Sequence, residues 1–258
     1  MKYRARMLVG DEGVLENAVI HIEEGVITAI EHGEFDIDLG DVVAVPGLVN
    51  AHSHAFQRAI RGRTEYLDAS RVDDDFWTWR DRMYGVALRL DPDQIGVVSR
   101  MAFLEMVLSG VTTVGEFHYV HHQPDGQPYA DPNELAHRVI DAALDVGLRI
   151  NLLRVAYTRA GHGRPALPTQ RRFIEPDVDT YLERVEDLAS HWAAEATVTV
   201  GMAPHSVRAV PGNWLSAIGR HGESHGRVIH IHACEQRREL EECRAEFGRG
   251  PVAVFRDL

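Results

Sequence analysis

Two histidines stand two residues apart where an apolar segment ends, in the run PGLVNAHSH over residues 46–54. Side chains at positions i and i+2 of a strand point to the same side, so the imidazoles of His52 and His54 can reach one metal ion. By spacing alone, both could equally be polar loop residues. Their position directly after an apolar run, at a predicted strand end, favours a metal site.

A second group of such residues ends a later apolar run, in the segment HIHACE over residues 230–235. A third imidazole at a strand end could complete a triangular ligand set, and Glu235 could move protons beside an activated water. The spacing leaves open whether His230 or His232 is the ligand. The alternative is a buried strand with one hydrogen-bonded histidine. Cys234 could offer a thiolate ligand, but we favour a small residue that points away from the site.

These residues need strands that end at a common edge, and the sequence predicts such strands. Residues 18–22 and 26–30 alternate in polarity around Glu-Glu-Gly, which predicts a hairpin within a small β subdomain over residues 1–41. From Val42 onward the strands are apolar throughout, which is typical of a parallel sheet buried on both faces. The predicted strands cover residues 42–49, 111–117, 149–156, 197–203 and 227–233.

Helical patterns lie between these strands, at residues 92–109, 132–146, 178–194 and 213–221. The alternation predicts βα units, and both a doubly wound sheet and a (β/α)8 barrel would fit it. No Gly-x-Gly-x-x-Gly motif follows the first strand, whereas polar residues follow every strand end, which favours the barrel. Because we find only five strands over residues 42–258, we predict an α/β fold with an incomplete (β/α)8 TIM-type barrel.

Composition excludes several other classes of protein. The 258 residues carry a formal net charge of -12, which argues against a nucleic-acid partner because a phosphate backbone needs a basic face. We find no apolar run long enough for a membrane span and no signal peptide. Two cysteines are too few for a disulfide framework. We therefore expect a cytoplasmic protein with neither nucleic-acid nor membrane partners.

The combination of these motifs resembles a known enzyme family. The run at residues 46–54, preceded by a small β subdomain and followed by His232-x-x-Glu235, is similar to the amidohydrolase superfamily in its cytosine/guanine-deaminase-like branch. Further segments make the resemblance narrower, to the formimidoylglutamate deiminase family of histidine degradation. These segments are HAFQR (54–58), FWTWR (76–80), EFHYVHH (116–122) and PHSVR (204–208).

The resemblance implies hydrolytic deimination of N-formimidoyl-L-glutamate to N-formyl-L-glutamate and ammonia. It implies that His52, His54 and His232 bind one zinc ion, and that Glu235 is catalytic. The substrate is a small dicarboxylate, and arginine suits it because a guanidinium pairs with a carboxylate through two parallel hydrogen bonds. The implied substrate contacts are Gln57, Arg80, Tyr119, His205 and Arg208, with both arginines at loop positions. Each has a plainer alternative, such as a solvated helix residue for Arg80 or a packed aromatic for Tyr119.

The family also has a site histidine after strand six and an aspartate after strand eight, for which this chain has no counterpart. We therefore expect the chain to be truncated, inactive alone and marginally stable, and a full-length version to be a homo-oligomer. Two alternatives stay open: another deaminase or chlorohydrolase acting on a nucleobase-like purine, pterin or triazine, or a non-catalytic fragment. We assign no metal to His118, His121 and His122, and expect them in a pocket wall or solvated rim.

Overall fold

The computed structural model describes residues 1–11, 13–64 and 76–256, without the side chains of residues 76–78. The chain divides into two compact units, residues 1–48 and 49–258. None of the described helices is both long enough and apolar enough to cross a membrane.

The first unit is a five-stranded sheet. Its strands are β1 (Lys2–Gly10), β2 (Gly13–Glu23), β3 (Val26–Glu31), β4 (Ile37–Asp38) and β5 (Val43–Ala44). Strand β2 pairs antiparallel with both β1 and β3, while β4 and β5 pair with β1 in parallel. The β2–β3 turn has positive φ angles at Glu24 (50°) and Gly25 (79°), which suits the right-handed twist of a two-residue hairpin. The predicted hairpin is confirmed.

The second unit alternates strands and helices. Its strands are β6 (Leu48–Ser53), β7 (Val111–His118), β8 (Arg149–Ala156), β9 (Arg159–Gly161), β10 (Arg164–Pro165) and β11 (Val198–Pro204). Its helices are α1 (Phe76–Ala87), α2 (Pro92–Leu108), α3 (Glu134–Asp145), α4 (Val178–His191), α5 (Gly212–His225), α6 (Arg237–Phe247) and α7 (Pro251–Phe255). Two 3-10 segments cover Ala55–Ile60 and Pro168–Gln170.

The main sheet has the order β11-β8-β7-β6, and β8 pairs in parallel with both of its neighbours. Strand β8 is central, and its residues from Leu152 to Ala156 are all buried, as expected where both faces of a sheet are covered. Helix α3 contributes Leu135, Val139 and Ile140 to the same core. The predicted fold, an incomplete TIM-type barrel with an N-terminal β subdomain, is confirmed.

The first predicted barrel strand is divided in two. Residues Val43–Ala44 pair with β1 in the first sheet, and β6 begins only at Leu48. Pro46 and Gly47 separate the two strands, because proline has no N–H to donate to a strand ladder and glycine weakens a strand. The apolar run at 42–49 is therefore shared between two sheets.

The fifth predicted strand, at residues 227–233, makes only isolated parallel bridges to β11 and its following turn, Met202 to Ile229 and Ser206 to His232. The Met202 N–H donates to the Val228 carbonyl, and the His230 N–H donates to the Met202 carbonyl. In a parallel ladder the next donor would come from residue 204, which is proline and has no N–H. The ladder breaks there, and the His232 N–H donates to the His205 carbonyl.

The histidines after β7 belong to the core. His118, His121 and His122 are 2%, 2% and 4% exposed, so the expectation of a solvated rim is wrong. His121 Nε2 lies 2.9 Å from the Val155 carbonyl oxygen, and His122 Nε2 lies 2.8 Å from that of Ile174. Burial is the main cause that lowers the pKa of all three. These rings help to pack the end of β7 against its neighbours.

Candidate metal centre and substrate pocket

Three histidines meet at the carboxyl ends of the barrel strands. His52 lies near the end of β6, His54 directly follows β6, and His232 follows the bridged segment beside β11. One ligand nitrogen from each lies within 4.8 Å of the others. The structure thus brings together the three residues predicted as ligands, and it distinguishes His232 from His230, which is outside this group.

The separation of one pair of ligand atoms fits a tetrahedral ion. His52 Nε2 and His232 Nε2 are 3.3 Å apart, and two ligands at tetrahedral angles around zinc, each at about 2.0 Å, are separated by about 3.3 Å. The ring of His52 makes angles of 83° with the ring of His54 and 81° with that of His232. Rings set at steep angles can direct their nitrogen lone pairs toward one point.

Backbone carbonyls fix which nitrogen of two of these rings is available. His54 Nδ1 lies 2.9 Å from the Phe117 carbonyl oxygen, and His232 Nδ1 lies 3.1 Å from that of His205. A carbonyl oxygen only accepts, so each Nδ1 carries the proton and each Nε2 keeps its lone pair. Such a hydrogen bond on the far nitrogen is the usual way in which metal-binding imidazoles are oriented.

The electrostatics keep these imidazoles neutral. Burial, assisted by the neighbouring His232 and His52, lowers the pKa of His54 to about 3. Burial also lowers the pKa of His232 to about 4 and lowers that of His52. A neutral imidazole is the form that binds a metal, so the donor set and its surroundings fit a divalent cation.

A cavity of about 500 Å³ opens beside the histidines. His54 and His232 lie in its wall, together with all five predicted substrate contacts and the predicted catalytic glutamate: Gln57, Arg80, Tyr119, His205, Arg208 and Glu235. Arg80 was expected in a loop, but it lies on α1 with its guanidinium carbon 5.4 Å from the centre of the Tyr84 ring. Aromatic packing of this kind holds a guanidinium plane in place.

The polar residues of the wall are joined to one another. Gln57 Nε2 donates to the Tyr119 hydroxyl at 2.8 Å. Burial raises the pKa of Tyr119, so its hydroxyl keeps its proton. His205 Nδ1 lies 3.1 Å from the Ser206 hydroxyl, and burial holds the pKa of His205 well below its usual value. The cavity wall therefore combines neutral hydrogen-bonding groups with the guanidinium groups of Arg80 and Arg208.

Arg208 already forms ion pairs with two carboxylates of the chain. Its Nη2 donates to Glu235 Oε2 at 2.5 Å, and its Nη1 lies 3.6 Å from Glu239 Oε2. Glu239 is fully buried and accepts the backbone N–H groups of Cys234 and Glu235 at 3.0 and 3.3 Å. Cys234 has a left-handed φ of 59°, so the turn that follows His232 is strained. The Glu239 side chain stabilises this turn through its two hydrogen bonds.

Two site glutamates were missed from the sequence. One is Glu239, in the first turn of α6. The other is Glu116, which is buried in β7 and accepts the Ala55 N–H at 2.7 Å, next to His54. Burial raises the pKa of Glu116 to about 7. A carboxylate within the predicted buried strand at residues 111–117 was the available signal, because such a group is seldom buried without a role.

A second histidine group lies on helices α4 and α5. Glu186, His221 and His225 place one ligand atom each within 4.8 Å of the others. The His221 and His225 rings are stacked, with centres 3.9 Å apart and an angle of 14°. Arg227 donates to both Glu186 oxygens, at 3.0 and 2.6 Å. Parallel rings direct their lone pairs side by side, and the carboxylate already has a cationic partner.

Comparison with known proteins agrees with this site. Residues 43–254 match the model of the Amidohydrolase family. The chain is 43% identical over 215 residues to the formimidoylglutamate deiminase of Pseudomonas aeruginosa, covering 83% of this chain and 46% of that protein. It is 29% identical over 224 residues to a 5-methylthioadenosine/S-adenosylhomocysteine deaminase of Moorella thermoacetica, covering 86% of this chain and 44% of that protein.

A solved structure gives the same result. The crystal structure of an amidohydrolase from Brucella melitensis superposes with a TM-score of 0.89 at 36% identity, covering 99% of this chain and 57% of that one. The chain spans about half the length of the curated relatives it matches. With the strand-end histidines, the cavity and the family match in agreement, this chain belongs to the amidohydrolase family.

Proposed function

We propose that this pocket, in a protein with a complete barrel, carries out hydrolytic deimination of N-formimidoyl-L-glutamate to N-formyl-L-glutamate and ammonia. The observation that carries the proposal is the presence of Arg80 and Arg208 in one cavity with the histidine group. A dicarboxylate needs two cationic partners, whereas an uncharged heterocyclic base needs none. The relative with 43% identity, a formimidoylglutamate deiminase, supports the same substrate.

We propose His52, His54 and His232 as ligands of one divalent metal ion, with zinc the best fit to a set of three imidazole ligands. When bound, such an ion supplies Lewis-acid activation of the attacking water. The Phe117 and His205 carbonyls keep the ligand nitrogens of His54 and His232 free of protons.

The proposed chemistry balances with one water molecule. A water oxygen forms a bond to the formimidoyl carbon, and the bond from that carbon to the terminal nitrogen breaks to release ammonia. Both protons of the water end on the departing nitrogen. Glu235, on the cavity wall beside His232, takes the first from the attacking water and passes it to that nitrogen, and the remaining hydroxyl proton follows the same route as the carbon–nitrogen bond breaks and the formyl carbonyl forms. Arg80 and Arg208 hold the carboxylates, while Gln57, Tyr119 and His205 are available to orient the chain between them.

The test is an assay of ammonia release from N-formimidoyl-L-glutamate by a zinc-loaded protein with a complete barrel, in parallel with 5′-methylthioadenosine. We expect turnover of the dicarboxylate, with a kcat/KM that falls when either Arg80 or Arg208 is replaced by alanine. Faster turnover of the nucleoside, unaffected by these replacements, would contradict the proposal.

A second function has one observation in its favour. The chain is also similar to a 5-methylthioadenosine/S-adenosylhomocysteine deaminase, although at the lower identity of 29%. A purine base could stack on the aromatic residues of the cavity wall, among them Tyr84 and Trp79. Methylthioadenosine has no carboxylate and S-adenosylhomocysteine has one, so at least one of the two arginines would lack a partner in the substrate, which is why we rank it second.

A further inference from the structure

The most informative contact in the cavity is the ion pair between Arg208 and Glu235. Its two members have different proposed roles, since Arg208 binds a substrate carboxylate and Glu235 moves protons at the reacting carbon. The Arg208 Nη2–Glu235 Oε2 distance of 2.5 Å means that each is occupied by the other. A carboxylate that binds the guanidinium through two parallel hydrogen bonds needs the same N–H groups.

The two carboxylates next to Arg208 are not equally fixed. Glu239 has no exposed side-chain surface and is tied to two backbone N–H groups, so it is a lasting partner for the guanidinium. The Glu235 side chain is 33% exposed and borders the cavity. Only Glu235 can leave Arg208 without breaking the turn that follows His232, while Glu239 keeps the guanidinium in position.

We infer that the Arg208–Glu235 ion pair is a specificity-determining contact, in which a ligand carboxylate replaces Glu235 on Arg208 and so frees Glu235 to face the reacting atoms. The inference rests on the proposed function. A ligand without that carboxylate leaves Glu235 bound to Arg208 and away from the reaction. Discrimination between substrates therefore acts on proton transfer as well as on binding.

The exchange has a thermodynamic consequence. A carboxylate ligand that must displace Glu235 binds more weakly than it would to an unpaired Arg208, because part of its binding free energy breaks the existing pair. Removing the charge of Glu235 should therefore tighten the binding of a dicarboxylate. Loss of a residue that only contacted the ligand would weaken binding instead.

The experiment measures the affinity of the chain for N-formyl-L-glutamate by calorimetry. This probe has both carboxylates but no amidine, so no turnover complicates the titration. We expect Glu235→Gln to tighten binding about fivefold, the upper end of the range for one partly exposed ion pair. In the Arg208→Lys background the same replacement should change the affinity less than about twofold, because a single ammonium does not form the paired geometry.

Two control variants separate this exchange from a general effect of charge. Glu241→Gln removes an exposed carboxylate of α6 and should not change the affinity. Glu242→Gln removes a carboxylate of the cavity wall that pairs with Arg164 and Arg238. We expect a change of less than about twofold there, because those arginines are 42% and 52% exposed and screened by water.

The outcomes are distinct. Equal affinity of the parent chain and Glu235→Gln, or equal tightening by Glu242→Gln, overturns the exchange but leaves the proposed substrate class standing. No binding of N-formyl-L-glutamate by any variant overturns the exchange and the proposed function together. Tightening that occurs with Glu235→Gln and disappears in the Arg208→Lys background supports the inference.

Discussion

His52, His54 and His232 meet at strand ends, whereas Glu186, His221 and His225 meet between two helices. Both groups bring their donor atoms within 4.8 Å, so distance alone does not separate them. They differ in the orientation of their rings and in the partners that their side chains already have. The first has rings at steep angles with two Nδ1 atoms turned to carbonyls, and the second has stacked rings and a carboxylate bound by Arg227.

The difference shows that a metal centre needs donor atoms that point toward one position and that are not already bound by another group. In the first group the backbone holds the unused nitrogens, which leaves the lone pairs directed inward. In the second group the same residue types form a hydrogen-bonded ion-pair network that joins α4 to the segment after α5. We therefore assign binding to the first group and stability to the second.

Zinc affinity should show the largest difference between the two groups. We expect His232→Ala to weaken zinc binding by roughly a hundredfold or more, because removing a ligand costs more than removing a ligand's hydrogen-bond partner. His221→Ala is the matched control and should change the affinity less than about twofold. Competition with a chromophoric chelator measures both. An equal loss in the two variants would mean that the second group also binds zinc.

The two arginines beside these groups should differ in their effect on turnover. In a protein with a complete barrel, Arg208→Ala should lower kcat/KM for N-formimidoyl-L-glutamate by about two orders of magnitude, or about 3 kcal/mol, as a buried carboxylate loses its partner. Arg227→Ala should leave kcat/KM unchanged. A mild loss with Arg208→Ala, equal for substrates with and without carboxylates, would favour a nucleobase-type substrate.

For the free energy of unfolding we expect the opposite order, with the larger effect from Arg227. Arg227→Ala removes a bidentate pair whose side chains are 21% and 31% exposed, so we expect a loss of about 1 kcal/mol in the free energy of unfolding. Urea denaturation followed by circular dichroism measures it. Arg220→Ala, at an exposed position of the preceding helix α5, is the control and should stay within about 0.5 kcal/mol of the parent chain. Equal losses in both would remove the stabilising role.

At low pH we expect the second group to lose its contribution to stability, because Glu186 becomes protonated. Hydrogen bonds from Arg227 and His221 lower the pKa of Glu186 from 4.5 to about 2, with that from Arg227 the larger cause. A lowered carboxyl pKa stabilises the folded state fully above pH 4.5, and this contribution is lost as the pH falls toward 2. Glu186→Gln should therefore lose less stability than the parent between pH 5 and 3, by urea midpoint. Parallel pH profiles would contradict this assignment.

Much of the second unit could be predicted from the sequence because its signals are local. Apolar runs bounded by turns predicted β7, β8 and β11, and their parallel pairing followed from strands that are buried on both faces. Helix α2 was predicted from the spacing of its apolar residues, and the structure shows in addition a capping box, Asp91 with Gln94, and Pro92 at its start. The positions at strand ends predicted that His52 and His54 would meet a third histidine, and the family resemblance selected His232 rather than His230.

What could not be predicted depends on partners far away in the chain. The break in the fifth strand comes from Pro204, which acts on residues that the apolar pattern at 227–233 does not reveal. Glu116 accepts a hydrogen bond from a backbone N–H group 61 residues earlier, and Arg208 pairs with a glutamate 27 residues later. Such contacts are set by the packing of strand ends. The catalytic and binding roles of the site residues stay predictions.

The carbonyls behind His54 and His232 have a consequence for how this pocket can evolve. Many proteins orient a metal-binding imidazole with an aspartate or glutamate, which a single base change can remove. Here the orienting groups belong to the main chain at Phe117 and His205, and every amino acid at those positions supplies the same oxygen. Substitutions can therefore change the side chains that contact the substrate without changing the orientation of these two imidazoles. One family could in this way adapt the same centre to dicarboxylates and to nucleosides.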